Sequence, residues 1–386
     1  MLQTRKLALR GSLALLCALS VACTAQLDTK AGHDRSPALR VPAELTLVNT
    51  ERVRVADGLA NPRGMWLRSD GKLLVALAGE GLEEDAGTGS LALLSDQDGD
   101  GRYEARKDIL ADRPSRNILD LVRRDEVFGM ADIAVGGGST LVSAAFFGGP
   151  SKIFEVSGET ARHWATVEGN INAMTYSEAE ANWIAVSSSS EEVLRIYPDR
   201  EAEVLLELPD LPEGQDPVPG YVRYEPRTGA VLISLFSGSP LGEEGGDGTE
   251  IVHGAGGIIR LDIDSGAFEW VVAGLTAPTD IAVDDQGRLY ILEFCTDFLD
   301  PVTRREEMWS SPGHGGFKRF SGRLLRVDPA AGSVELLADD LDGPTNLHLA
   351  GNELFIAQGM GTPGRLIPSP SGLVELEGFI DRIKLE

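Results

Sequence analysis

One segment pattern is written six times along this chain: a turn, a short apolar strand, a polar or Gly turn, then a second apolar strand. The copies are Arg63–Ala76, Ala131–Ala144, Asn172–Val186, Gly220–Ser234, Thr279–Leu292 and Thr345–Ala357. Three share a tighter lead-in: Leu59-Ala-Asn-Pro62-Arg-Gly64, Leu275-Thr-Ala-Pro278-Thr-Asp280 and Leu341-Asp-Gly-Pro344-Thr-Asn346. A repeat of this length, all strand and no helix, cannot bury both faces of its own small sheet, so neighbouring copies must stack. Six copies closed into a ring predict an all-β, six-bladed β-propeller with a central channel.

The repetition makes residues 50–386 a single domain. The 386 residues carry a formal charge of −25. That charge repels nucleic acid and anionic lipid headgroups and disfavours both as partners.

The first residues read as a targeting segment. Arg5, Lys6 and Arg10 form a positive region, and Ser12–Ala22 is an apolar run too short to span a bilayer. It ends Leu19-Ser-Val-Ala22-Cys23, which resembles a bacterial lipoprotein signal. The resemblance implies cleavage after residue 22, lipidation of Cys23 and a membrane anchor facing the periplasm or cell surface. Thr24 after the Cys favours the outer membrane. An ordinary secretory signal, cut after Ala22 or Ala25, is the alternative. Cys295 would be the other cysteine left after cleavage, so an internal disulfide is not expected. Residues 23–49 are polar, contain Pro37 and Pro42, show no period, and are expected to be a flexible tether.

Each blade should run from an inner strand A to an outer strand D. Five blades follow one another in order. The last has strand A at Asn346–Leu349, strand B at Glu353–Gln358 and strand C at Phe379–Leu385, and there the sequence ends without a strand D. Glu51–Ala56 precedes Leu59 as Phe268–Ala273 precedes Leu275, so the N-terminal strand is expected to complete the C-terminal blade and remove two open edges. In such a meander the B–C loops and the D–A connections share one face. The long insertions, Gly238–Ala255, Cys295–Ser321 and Gly359–Gly378, are all B–C loops. Loops longer than about 12–15 residues are commonly functional, which makes this face the candidate binding face for a small molecule or a protein.

Aligning the copies puts Gly64, Asp132, Ala173, Tyr221, Asp280 and Asn346 in register at the start of strand A, around the channel mouth. Glu80, Glu293 and Gln358 end strand B nearby. Carboxylates and amides converging there offer ligands for Ca²⁺, which takes about six to eight oxygens. The competing expectation is that they bond to backbone N–H groups of the next blade. A second cluster, Asp96-Gln-Asp98-Gly-Asp100-Gly101, matches the first half of a Ca²⁺ loop. The match stops at Lys107, where an EF-hand needs a Glu, and the reading is a rim Ca²⁺ site or a solvated Asp-Gly turn. Gly359-Met-Gly361-Thr-Pro-Gly364 opens no helix and is not a dinucleotide site. Cys295 reads as a packed side chain, and the basic island Arg304, Arg305, Lys318 and Arg319 as an anion ligand or as ion-pair partners of Glu306 and Glu307.

With these repeats the chain resembles the ScyD/ScyE family of exported propellers. The resemblance rests on Val55-Ala-Asp-Gly-Leu-Ala-Asn-Pro-Arg-Gly64, on Asp280-Ile-Ala-Val283 with Gly287-Arg-Leu-Tyr-Ile-Leu-Glu293, and on Gly322-Arg-Leu-Leu-Arg-Val327. It implies an exported six-bladed propeller and no settled catalytic residues. More distantly the chain looks like SMP-30-like gluconolactonases and NHL-repeat propellers. Such lactonases hold a divalent metal with Glu, Asn and Asp, residue types that Glu293, Asn346 and Asp280 offer here. The Asp96–Gly101 stretch is also similar to one in sorbosone-dehydrogenase-like propellers, whose relatives use a quinone. Three functions follow as expectations: a ligand- or partner-binding protein or scaffold, a metal-dependent lactonase or hydrolase, and a quinone-dependent sugar dehydrogenase.

Overall fold

Side chains alternate across a strand, and in this protein the two faces of each blade feed two different cores. Leu73, Val75 and Leu77 face the blade before them, packing with Phe355, Ala357 and Ile380. Leu74 and Ala76, from the same strand, face the blade after, packing with Met130, Val142 and Ala144. The same division recurs around the ring, so six apolar cores lie between six pairs of neighbouring blades. Strands covered on both faces must be apolar throughout, which explains the unbroken runs such as Leu73–Leu77 and Ala230–Leu235.

The computed structural model describes residues 38–48, 50–81, 86–117, 125–145, 149–211, 215–236, 253–297, 313–314 and 317–386. They form the expected six-bladed propeller. Strand A is Pro62–Leu67, Met130–Gly136, Ile171–Ser177, Pro219–Glu225, Pro278–Val283 and Asn346–Ala350 in blades 1 to 6. The last blade is closed as expected, with Arg52–Leu59 paired antiparallel to Gly378–Lys384 as its strand D.

The lead-ins shared by three copies have a common backbone state. The residue before the proline is left-handed in each: Asn61 at φ 54°, Ala277 at 52° and Gly343 at 49°. At the start of strand A of blade 1, Gly64 lies against blade 2. A Cβ there would sit 2.4 Å from the Ile133 nitrogen, so no other residue fits.

The tether expectation needs correction for its last residues. Leu39–Arg40 pairs parallel with Val272–Ala273 on the outer strand of blade 4. Leu47 bridges to Leu336 on the outer strand of blade 5. Leu39, Val41 and Leu45 pack against the core between blades 4 and 5, and Val48 against the next. Residues 38–48 are therefore a belt across the outer edges of two blades, held by Leu39, Val41, Leu45 and Val48. The signal segment and Cys23 lie outside the described residues, as do most of the first two insertions. No helix among the described residues is long and apolar enough to cross a membrane.

A chain beginning at Thr50 should keep the propeller but lose about 2–4 kcal/mol of stability, since the belt's four apolar side chains are only partly buried. One beginning at Ala60 also lacks the closing strand and should show no cooperative melting transition. Thermal and urea melts of the two chains check both outcomes.

Candidate functional site

The inner strand of every blade is an edge strand, and its outward N–H groups need acceptors. Side chains of the preceding blade supply several. Asp132 Oδ2 accepts the Met174 N–H at 3.0 Å, and Asp280 Oδ2 accepts the Leu347 N–H at 2.9 Å. One layer deeper, Thr175 Oγ1 accepts the Tyr224 N–H at 3.0 Å, and His348 Nε2 accepts the Leu67 N–H at 3.1 Å. Register shifts at the start of strand A in blades 1 to 5 turn the side chains of Asp132, Tyr221 and Asp280 away from the regular pleat.

The two buried aspartates also face a guanidinium. Arg223, in strand A of blade 4, donates to both Asp132 oxygens, at 2.9 and 3.2 Å, and to Asp280 Oδ2 at 2.8 Å. Asn346 Nδ2 donates to the same Asp280 oxygen at 2.6 Å. The guanidinium lies 5.1 Å from the centre of the Tyr221 ring, within cation–π range. The axis thus carries an ion-pair network in which Asp132, Asp280 and Asn346 are at most 1 % exposed. A cation of the protein's own stands between the carboxylates expected to receive a metal.

Burial pushes the Asp280 carboxyl up to about 7; Arg223 pulls it down and Asp132 pushes it up further. Burial disfavours charge on Arg223, but the two aspartates outweigh it and keep the group protonated. Burial, then the positive field of Arg223, lowers His348 to about 4. Its imidazole is neutral at pH 7, as an acceptor of the Leu67 N–H must be.

Glu293 and Gln358 do not join this network. Each ends strand B and accepts the N–H of its own blade's lead-in, Thr276 for Glu293 and Asp342 for Gln358. Each then bonds to strand C: Glu293 to Arg323, and Gln358 Nε2 to Asp381 at 2.8 Å. Burial raises the Glu293 carboxyl above its usual range, against the pull of Arg323.

The rim turn holds the expected acidic group in altered form. Ligand atoms of Asp96, Asp98 and Glu104 lie within 4.8 Å of one another, close enough to share a cation. Glu104 lies outside the expected triplet, and Asp100 accepts the Arg102 N–H at 2.8 Å. Both Asp96 oxygens accept backbone N–H groups, from Gly99 and Gly101, so the turn is also stable as an Asp-Gly loop. A comparable group, Glu191, Asp210 and Asp216, lies on the insertion face.

On that face the insertion of blade 6 is knitted down at both sides. Asp125, fully buried, accepts the Thr362 N–H at 3.0 Å and pairs with Arg365 at 3.2 Å. Arg319, from the end of the blade 5 insertion, is 5 % exposed and pairs with Asp342 through two bonds of 2.6 Å. Its Nη1 donates to the Met360 carbonyl at 2.7 Å. Arg319 is thus an ion-pair partner, with Asp342 among the described residues, while Glu306 and Glu307 lie outside them. Arg304 and Arg305 lie outside the described residues. Cys295 is fully buried among Ala277, Phe294, Phe317 and Met360, as expected.

Beyond these contacts the insertion forms a hairpin, Leu366–Ser369 paired with Gly372–Glu375, which the sequence did not reveal. Its Ile367 and Val374 face a cleft of about 500 Å³. The cleft's other walls come from strands C and D of blade 6 and the outer edge of blade 5.

Arg223→Met should cost about 3–5 kcal/mol, because two buried carboxylates lose their cation; urea melts at pH 7 read it. The titrations give opposite slopes. Asp280 binds its proton more tightly folded than unfolded, so its contribution is complete below about pH 4 and is lost as pH rises through about 7. His348 binds its proton less tightly folded, so its contribution is complete above about pH 6.5 and is lost as pH falls through about 4. Relative to wild type, Asp280→Asn should gain stability as pH rises from 4 to 7, and His348→Gln as pH falls from 6.5 to 4. Difference curves of melting temperature against pH check both signs.

No protein-family model matches the chain, and no curated protein sequence is similar to it. Its fold is shared with many solved structures. A structural-genomics protein of unknown function from Bacteroides thetaiotaomicron superposes with a TM-score of 0.54 at 13% identity, over 88% of this chain and 76% of that one. Virginiamycin B lyase from Staphylococcus aureus gives 0.49 at 11% identity, over 88% and 99%. A carbohydrate-active enzyme of family AA12 from Trichoderma reesei gives 0.49 at 14%, over 90% and 100%. At these identities the likeness is one of fold: this chain is a six-bladed β-propeller similar in architecture to these proteins.

Proposed function

We propose that this protein is an exported, lipid-anchored binding protein that takes a small ligand on its insertion-bearing face, in the cleft beneath the blade 6 hairpin. The observation that carries this reading is the cleft itself. A volume of about 500 Å³ falls in the range of small-molecule sites. Its roof is an insertion that the ring does not need for closure and that buried ion pairs nevertheless hold in place. The lipoprotein-like ending at Cys23 and the resemblance to exported ScyD/ScyE propellers support placement on the cell envelope, with the outer membrane favoured.

The axis supports this reading over a metal-dependent lactonase. Asp280 and Asn346 are buried, Arg223 stands at the carboxylates, and Glu293 is bonded within its own blade. Ca²⁺ at Asp96, Asp98 and Glu104 would be a structural clamp on the rim.

The test is a thermal-shift screen of polar metabolites on the mature domain and on a variant whose residues 366–375 are replaced by a Gly-Ser linker. Compounds that raise the melting temperature of the wild type should fail to raise that of the variant, whose own melting should remain cooperative. Shifts that persist without the hairpin would place binding elsewhere.

A further inference from the structure

The cleft is lined by charges of both signs. Arg54 lies over the Phe379 ring, its Cζ 3.5 Å from the centroid, and its Nε donates to Asp381 Oδ1 at 3.3 Å. Asp381 is itself 5 % exposed and is fixed by Gln358. The guanidinium is therefore set by stacking on one side and by a buried carboxylate on the other. Its two terminal nitrogens make no hydrogen bond to the described residues, so a fork of donors is presented ready-made. Arg52 stands beside it, held by the Asp339 carbonyl at 2.8 Å.

The other lining charges are acidic. Asp342 is committed to Arg319 behind the wall. Asp340, Glu375 and Glu377 are exposed and make no ion pair or hydrogen bond among the described residues. Asp340 is notable for its backbone. It sits at φ 52° within a register shift of the outer strand of blade 5, a left-handed conformation that re-aims its side chain. Phe320, Ile367 and Val374 add apolar wall.

A purely anionic ligand would pair with the arginines and meet the acidic lip. A purely cationic one would pair with the lip and meet the arginines. We infer that the cleft takes a zwitterion, an α-amino acid or a short peptide, with its carboxylate on the Arg54–Arg52 fork and its ammonium toward Asp340, Glu375 and Glu377. The volume suits a ligand from one residue to a dipeptide. This rests on the reading of the cleft as a binding site and adds the class of ligand.

The experiment is isothermal titration of the mature domain with the twenty free amino acids and a set of dipeptides. The N-acetylated and C-amidated forms of each binder are titrated in parallel. At least one parent compound should bind with a submillimolar dissociation constant, and both blocked forms should bind at least tenfold more weakly. Arg54→Gln should weaken the parent at least tenfold while leaving the loss on N-acetylation intact. Glu377→Gln combined with Asp340→Asn should reduce that loss and leave the loss on C-amidation. Circular dichroism and melting curves confirm that the variants fold. Equal binding of the N-acetylated forms, abolished when the hairpin is replaced, would overturn the zwitterion and keep the cleft as an anion site. No binding anywhere in the panel would overturn the zwitterion, and the metabolite screen then decides separately whether the cleft binds anything.

Discussion

The inner edge of each blade governs much of this structure. Six strands line the axis with one side of their backbone unpaired, and a buried N–H without an acceptor costs about 1–3 kcal/mol. The protein answers with side chains that reach across to the next blade: Asp132 to Met174, Thr175 to Tyr224, Asp280 to Leu347, His348 to Leu67. These bonds set the rotation of one blade on another as well as satisfying the edge. Using aspartate as acceptor has a consequence. Two carboxylates buried near one axis repel, and Arg223 supplies the charge that lets them coexist. The polar axis follows from backbone accounting before any function is considered.

Ring closure is the second constraint, and the chain meets it with sequence from both ends. The strand Arg52–Leu59 completes the blade that Gly378–Lys384 leaves open. The residues before it run back along blades 5 and 4 and pair with their outer strands. An outer strand left bare is a template for further strand pairing, so the belt both adds apolar contact and covers edges. With no disulfide among the described residues, such closure substitutes for covalent staples.

Much of this was legible in the sequence because it depends on period and turn chemistry. Pro62, Pro278 and Pro344 mark the same backbone state, and the echo between Glu51–Ala56 and Phe268–Ala273 located the closing strand. Alternation was legible only as unbroken apolar runs, since both faces of each strand are covered. Arg223 was missed, although a signal existed. It aligns with Trp66, Ala134, Thr175, Ala282 and His348, and it is the one charged residue at that inner-strand position. The belt was missed because Leu39, Val41 and Leu45 are spaced among prolines and charges, where alternation is weak evidence. The hairpin at 366–375 was missed because its strands are four residues each and carry Pro368. The shares of Glu293 and Gln358 were misjudged for a simpler reason: the end of strand B lies near the mouth, but their side chains turn back toward their own lead-ins.

These constraints also argue about where a ligand can go. A channel whose carboxylates already hold a guanidinium and four neighbouring backbone or amide donors offers little free chemistry to a newcomer. Disrupting it would loosen the contacts that orient the blades. The rim of blade 6 differs, because its insertion is additional to the ring and can vary without opening it. Asp381 shows how the two regions connect. It is buried by the closing strand, positioned by Gln358 from strand B, and spends its outward oxygen on Arg54. The residue that helps seal the ring thus orients the Arg54 guanidinium over Phe379, so a recognition site there inherits the rigidity of the closure.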